Sequence, residues 1–216
     1  MSAELFAPHQ SLASKLLPLA VPNGEDGAHD IAHITRVWNN VRSISNVEGG
    51  DQEVLVAATL LHDCICVEKD SPDRAKASTL AAKAAESHLN QLGWNAEKIA
   101  QTCHTIEAHS FSAGISPKSI EAKILQDADR LDAIGLIGVA RCFYVAGRMG
   151  SALYDPEDPH AKNRALDDRK DAIDHFETKL LTLASGFQTA EGQRLAKSRH
   201  QELLQFRDAL LAQIGA

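Results

Sequence analysis

Val54-Leu-Val-Ala-Ala-Thr-Leu-Leu61 is apolar on every face of a helix, and the charged pair His62-Asp63 follows it directly. A helix that is hydrophobic all round belongs at the centre of a protein. Asp51 is placed to cap its start, and Gly49-Gly50 just before it lets the preceding helix end with positive φ. An imidazole and a carboxylate at the mouth of a buried helix are costly unless they are paired or bound to a metal. Any such partner for His62-Asp63 comes from elsewhere in the chain.

Reading outward, Ile31, Ile34, Trp38, Val41 and Ile44 recur at steps of three and four, which predicts one face of a helix. Downstream of His62-Asp63, a polar loop from Cys64 to Asp73 leads to an Ala-rich helix from Arg74 to about Leu92, closed by Gly93. Asn95 begins a helix carrying Ile99, Cys103 and Ile106 and ending near His109-Ser110. Ser116-Pro117 reads as the start of the next, which carries Ile120, Ile124, Ala128, Leu131 and Ile134 and runs past Phe143. The stretch from Gly147 to about Asn163, with Pro156 and Pro159, is the least regular. Two amphipathic helices, about Asp167 to Ala184 and about Thr189 to Ile214, finish the chain. Runs of alternating β-branched or aromatic residues are scarce. The expected fold is all-α: one domain over residues 1–216, with a motif-bearing core at about 28–140 and C-terminal helices at about 165–214.

The hydrophobic share of 44% is that of an ordinary globular protein, enough to bury a core. Net charge is −7 with no basic block, which argues against a nucleic-acid polymer as partner. A small phosphorylated molecule remains compatible, because a local cation neutralises phosphate within an acidic chain. The four cysteines lack the paired spacing of a disulfide scaffold and fit a reducing cytoplasm. Cys64-Ile-Cys66 has no second pair to complete a soft-metal site. Lys15-Leu-Leu-Pro-Leu-Ala-Val21 is too short for a signal peptide, and no run is long enough to span a membrane.

The partners for His62-Asp63 are His33, on the helix before, and Asp129, in Gln126-Asp-Ala-Asp129-Arg-Leu-Asp132. His-Asp also occurs at His29-Asp30, so the dipeptide alone says little; the ordered set, each on or beside a core helix, carries the information. Two imidazoles and two carboxylates suit one divalent ion among Mn²⁺, Mg²⁺, Fe²⁺, Ni²⁺, Co²⁺ and Zn²⁺. At 100° per residue Asp127 faces away from Asp129, while Asp132 lies about 60° from it on the same side, beside it in the cavity. His104 and His109 sit about 140° apart round a helix and do not chelate one ion from it. His104 reads as structural and His109, at a helix end, as a contact to substrate phosphate. Arg36, Lys69, Arg130, Arg141 and Lys179 are candidate phosphate clamps. Tyr154 and Asp155, in the irregular stretch, are candidate substrate contacts from a loop covering the site.

The order His33, His62-Asp63, Asp129 resembles the HD-domain superfamily of metal-dependent phosphohydrolases, and within it the small, soluble, single-domain bacterial branch. The resemblance rests on Ala28-His-Asp-Ile-Ala-His-Ile-Thr-Arg-Val37, Leu60-Leu-His-Asp63 and Gln126-Asp-Ala-Asp-Arg-Leu-Asp-Ala-Ile-Gly135. It continues in Leu153-Tyr-Asp-Pro156, His175-Phe-Glu-Thr-Lys-Leu180 and Ala196-Lys-Ser-Arg-His200, covering residues from about 28 to 205. It implies His33, His62, Asp63 and Asp129 as metal ligands, with Asp63 part of the catalytic apparatus. It also implies hydrolysis of a phosphate ester or anhydride. Nucleoside triphosphate pyrophosphohydrolase ranks ahead of 5′-nucleotidase or phosphodiesterase. Some relatives place an acid four residues after the His of the doublet. Here that position is Cys66, and Glu68 is the expected general base. The departure at Cys66 keeps a second reading open, a nucleotide-sensing module without turnover. A di-iron carboxylate bundle is disfavoured for want of paired Glu-x-x-His elements. The sequence leaves monomer and homodimer equally open.

Overall fold

The computed structural model describes residues 2–20, 31–65, 67, 76–110 and 113–215. Its regular elements are helical: α1 (Gln10–Leu16), α2 (Ile31–Glu48), α3 (Gln52–Leu61), α4 (Ala77–Gln91), α5 (Ala96–His109), α6 (Ile120–Asp132), α7 (Gly135–Met149), α8 (Asp174–Thr178) and α9 (Ala190–Gln213). An isolated bridge between Ala152 and Asp171 is the sole β pairing among the described residues. No helix among them is long and apolar enough to cross a membrane. The chain divides into two compact units, residues 1–129 and 130–216.

In the first unit α3 is the central element, as its all-round apolarity requires. Residues 54–61 are all buried, and α1, α2 and α5 pack against it. Its start matches expectation: the Asp51 carboxylate accepts from the N–H groups of Glu53 and Val54. Gly49 and Gly50 turn the chain with φ of +82° and +102°. The N-terminal segment, which the sequence left unassigned, completes this core. Phe6 is fully buried and stacks on Trp38 at 4.8 Å, and the Trp38 indole donates to the Leu5 carbonyl.

Glu121, on α6, reaches back to accept from the Asp51 N–H at 2.9 Å. Burial works against its charged form, but hydrogen bonds from Asp51, its own N–H, Gln101 and Ser119 outweigh that and hold its pKa below the ordinary value. A depressed carboxylate stabilises the fold above its unfolded pKa of about 4.3, and that share is lost as pH falls through the lower folded value. Glu121→Gln keeps the shape and discards the charge. The stability gap between wild type and variant, read from urea midpoints, is therefore expected to shrink between pH 7 and pH 3. A gap equal at both pH values would contradict this.

Three helix assignments change. α6 starts at Ile120, with the Ser119 hydroxyl capping the Ala122 N–H, three residues after Ser116-Pro117. It stops at Asp132 instead of running past Phe143. Ala133 and Ile134 make tight bonds to the carbonyls of Arg130 and Leu131, and Gly135, at φ +70°, opens α7. The helix expected over 167–184 shrinks to α8 and one further turn at 180–182. The cause is a run of aspartates that bind backbone N–H groups outside a helix. Asp167 accepts from Arg169 and Lys170, and Asp174 accepts from the Asp167 N–H while pairing with Arg164 at 2.5 Å.

In the second unit α7 packs on α9, and Phe143, Phe176 and Phe206 meet with ring centroids about 6 Å apart. The irregular stretch starts after α7, whose end Gly150 closes at φ +74°, so Gly147 itself is helical. Residues 151–153 are pinned along 169–173 by Ser151 Oγ to Arg169 O, Ala152 N to Lys170 O and Ile173 N to Leu153 O.

Candidate metal centre

Two of the site histidines owe their orientation to helix ends. The last carbonyls of a helix lack intrahelical donors, and a side chain that supplies one is fixed by doing so. His62 follows α3 and donates Nδ1–H to the Thr59 carbonyl at 2.8 Å; His109 ends α5 and donates Nδ1–H to Ile106 O at 2.6 Å. A carbonyl only accepts, so Nδ1 carries the proton in both rings and Nε2 is the atom turned inward.

Those Nε2 atoms converge with His33 and two carboxylates. His33 Nε2 lies 3.3 Å from His62 Nε2, 3.5 Å from Asp129 Oδ1 and 3.8 Å from Asp63 Oδ2. Asp63 Oδ2 is 3.6 Å from His62 Nε2, and its Oδ1 is 3.6 Å from His109 Nε2. Two triads result, His33–His62–Asp129 and His62–Asp63–His109, with His62 shared. The histidines are buried, at 1% for His33 and His62 and 7% for His109, while Asp63 and Asp129 keep about a third of their side chains exposed. The imidazoles form the buried part of the cluster and the two carboxylates its more exposed part.

Burial depresses the His62 pKa, and the neighbouring His109 and His33 add to this against the pull of Asp63 and Asp129. Its Nε2 lies 3.3 Å from the Nε2 of a second imidazole, that of His33. Burial also disfavours charge on His109, but its hydrogen bond to Asp63 and that carboxylate's charge win, and its pKa rises. The donor set fits a divalent ion. Ligands about 2.1 Å from one centre stand roughly 3.0–3.5 Å apart, close to the spacings seen. Imidazole and carboxylate without thiolate suit Mn²⁺, Fe²⁺, Co²⁺, Ni²⁺ or Zn²⁺ better than Mg²⁺, which prefers oxygen.

Residues 30–134 match the HD domain family model. The protein of Bacillus subtilis (strain 168) known as uncharacterized protein YpgQ is 35% identical over 186 residues, which is 84% of this chain and 82% of that one. The chain belongs to the HD domain family. Among solved HD structures, an HD-superfamily hydrolase from Bacillus thuringiensis aligns with TM-score 0.74 and 30% identity, over 96% of this chain and 98% of that chain. Bacillus subtilis YpgQ, solved in complex with ADP, aligns with TM-score 0.70 and 30% identity over 100% of both chains.

Against that HD framework, the expected ligands His33, His62, Asp63 and Asp129 come together, and His109 joins them. The sequence reading placed His109 on substrate phosphate. The sequence signal for it is a histidine closing a core helix, as His62 does. His104 is structural: its Nε2 accepts from the Lys118 N–H at 3.0 Å. Glu68, Lys69 and Cys66 lie outside the described residues. Arg36 is half-buried on α2.

The remaining candidates lie in the second unit, most with local partners. Arg130 donates to the carbonyls of Ser185 and Gly186 and stacks over Phe187, so its guanidinium holds a turn. Asp132 is buried and paired with Arg141 at 3.1 Å. Asp155 pairs with Lys170 and Arg164 and caps Glu157 and Asp158. Tyr154 is half-buried, and Lys179 is exposed just after α8.

Proposed function

We propose that the chain is a metal-dependent phosphohydrolase of nucleotides, with cleavage of a nucleoside triphosphate to monophosphate and pyrophosphate as the leading reaction. The observation that carries it is the convergence of His33, His62, Asp63, His109 and Asp129 on one small volume. The ADP held by the YpgQ relative supports a nucleotide as the substrate class. Manganese is one of several candidate ions, with iron, cobalt, nickel and zinc, that this donor chemistry admits.

A divalent ion in this cluster supplies Lewis acidity toward a phosphoryl oxygen and lowers the pKa of water it binds. His33 and His62 would present nitrogen donors at the buried side, with His109 beside them against Asp63. Asp63 and Asp129 line the open side, where a phosphate chain arrives. In the reaction water adds to the α-phosphorus, the bond to the bridging oxygen breaks, and pyrophosphate leaves. Glu68, five residues after Asp63, takes the proton from the attacking water. Arg36 and Lys69, close in sequence to the ligands, neutralise the leaving phosphates.

The test is a panel of nucleoside mono-, di- and triphosphates with Mn²⁺, Mg²⁺, Co²⁺ or Ni²⁺, scoring phosphate and pyrophosphate separately. Metal-dependent pyrophosphate release from a triphosphate is expected. Release of phosphate alone moves the reading to nucleotidase. Nucleotide binding without turnover under any metal removes the enzyme reading and favours a sensing module, which the thiol at Cys66 would suit.

A further inference from the structure

We propose that Asn40 and Gln126 are positioning residues of the metal centre: each donates a buried side-chain amide to the backbone carbonyl one residue ahead of a cluster side chain. Asn40 Nδ2 donates to Ala128 O at 2.9 Å, and Asp129 follows. Gln126 Nε2 donates to Ala108 O at 2.6 Å, and His109 follows. Both amides are buried, at 6% and 5% exposure. The inference rests on the metal reading above.

Helical spacing gives the two bonds their meaning. Asn40 stands seven residues after His33, two turns along the same face of α2. One stripe of that helix therefore presents an imidazole to the cluster and anchors the backbone that carries Asp129. Gln126 stands three residues before Asp129 on α6, again a near neighbour on the helix surface. The two amides tie together α2, α6 and α5, the helices that carry His33, Asp129 and His109. Ala108 O is among the last four carbonyls of α5, which lack intrahelical donors, so Gln126 supplies a bond the helix cannot. An amide does this without charge, whereas a lysine or arginine there would repel a cation in the cluster.

Asn40→Leu and Gln126→Met keep approximate size and remove the donors. Glu121→Gln, also on α6 but anchoring Asp51, serves as the control for general stability. The readouts are Mn²⁺ affinity by calorimetry, the visible spectrum of the Co²⁺-loaded protein, kcat and KM separately, and the thermal midpoint without metal. Loss of an outer-shell partner typically weakens metal affinity or activity about 10–100-fold. Mn²⁺ affinity is expected to fall by that amount in both variants, with a shifted Co²⁺ spectrum and a loss in kcat rather than KM. Glu121→Gln should move the midpoint alone. Should Asn40→Leu fail to fold, Gln126→Met decides. Affinity within about twofold of wild type with an unchanged spectrum overturns the inference, as does an equal loss in Glu121→Gln. A wild type that takes up neither ion overturns the metal reading and this inference with it.

Discussion

His62→Ala is expected to fold and to lose metal-dependent hydrolysis by about 10³-fold or more. His62 is the one side chain shared by both triads, so its removal opens the centre from either side. A Lewis acid contributes several kcal/mol to stabilising charge at a phosphoryl transition state, and each 1.36 kcal/mol is about tenfold in rate. Folding should survive, since the substitution exchanges one buried ring for a small cavity at the end of α3, freeing the Thr59 carbonyl and the His62 contacts to His33 and Asp63. Initial rates with Mn²⁺, measured beside circular dichroism melts, separate the two effects. A folded variant retaining more than a tenth of the wild-type rate would place the chemistry elsewhere.

Gly138→Ala is expected to destabilise the second unit by about 3 kcal/mol or more, at the upper end for overpacking. A Cβ at Gly138 would stand 2.4 Å from the Ala133 carbonyl oxygen and 2.9 Å from its carbon. The clash is with backbone, so no side-chain rotamer relieves it, and α7 must move relative to the connector at 133–134. Gly135, three residues before, is already confined to φ +70° and crowded by Arg199 and Glu202, so that turn has little room to yield. A chemical-denaturation series on Gly138→Ala with Gly147→Ala as control decides this. Gly147 has no atom within 4 Å of its added Cβ, so its alanine variant should be near neutral or stabilising. Equal behaviour of the two variants would contradict the packed junction.

That junction shows where sequence reading stops. The ends of α2, α3 and α5 were legible because their chemistry is local: Gly49-Gly50, Asp51 and Asn95 act on residues next to them. The break between α6 and α7 was not, because it is made by tightened bonds from Ala133 and Ile134 and a left-handed Gly135, which the local sequence does not distinguish from a continuing helix. The apolar period through Ile134 continues across it. Likewise Asp167, Asp168, Asp171 and Asp174 sit in a pattern that looks amphipathic, while their carboxylates are spent on turns and on Arg164 and His175. His33, His62, Asp63 and Asp129 were readable because their order along the chain matches a family. His109 needed the packing of α5 on α3, which brings its ring within 4.8 Å of His62. Asn40 and Gln126 carried no sequence signal, since a buried amide reads as an ordinary polar residue until its acceptor is known.

The central claim is that this imidazole–carboxylate cluster holds a divalent ion. Anomalous diffraction from crystals grown with Mn²⁺, recorded on either side of the manganese edge, tests it most directly. One strong peak is expected within coordination distance of the Nε2 atoms of His33 and His62 and of the carboxylates of Asp63 and Asp129. No peak at the cluster, or a peak only at surface carboxylates away from it, would contradict the account.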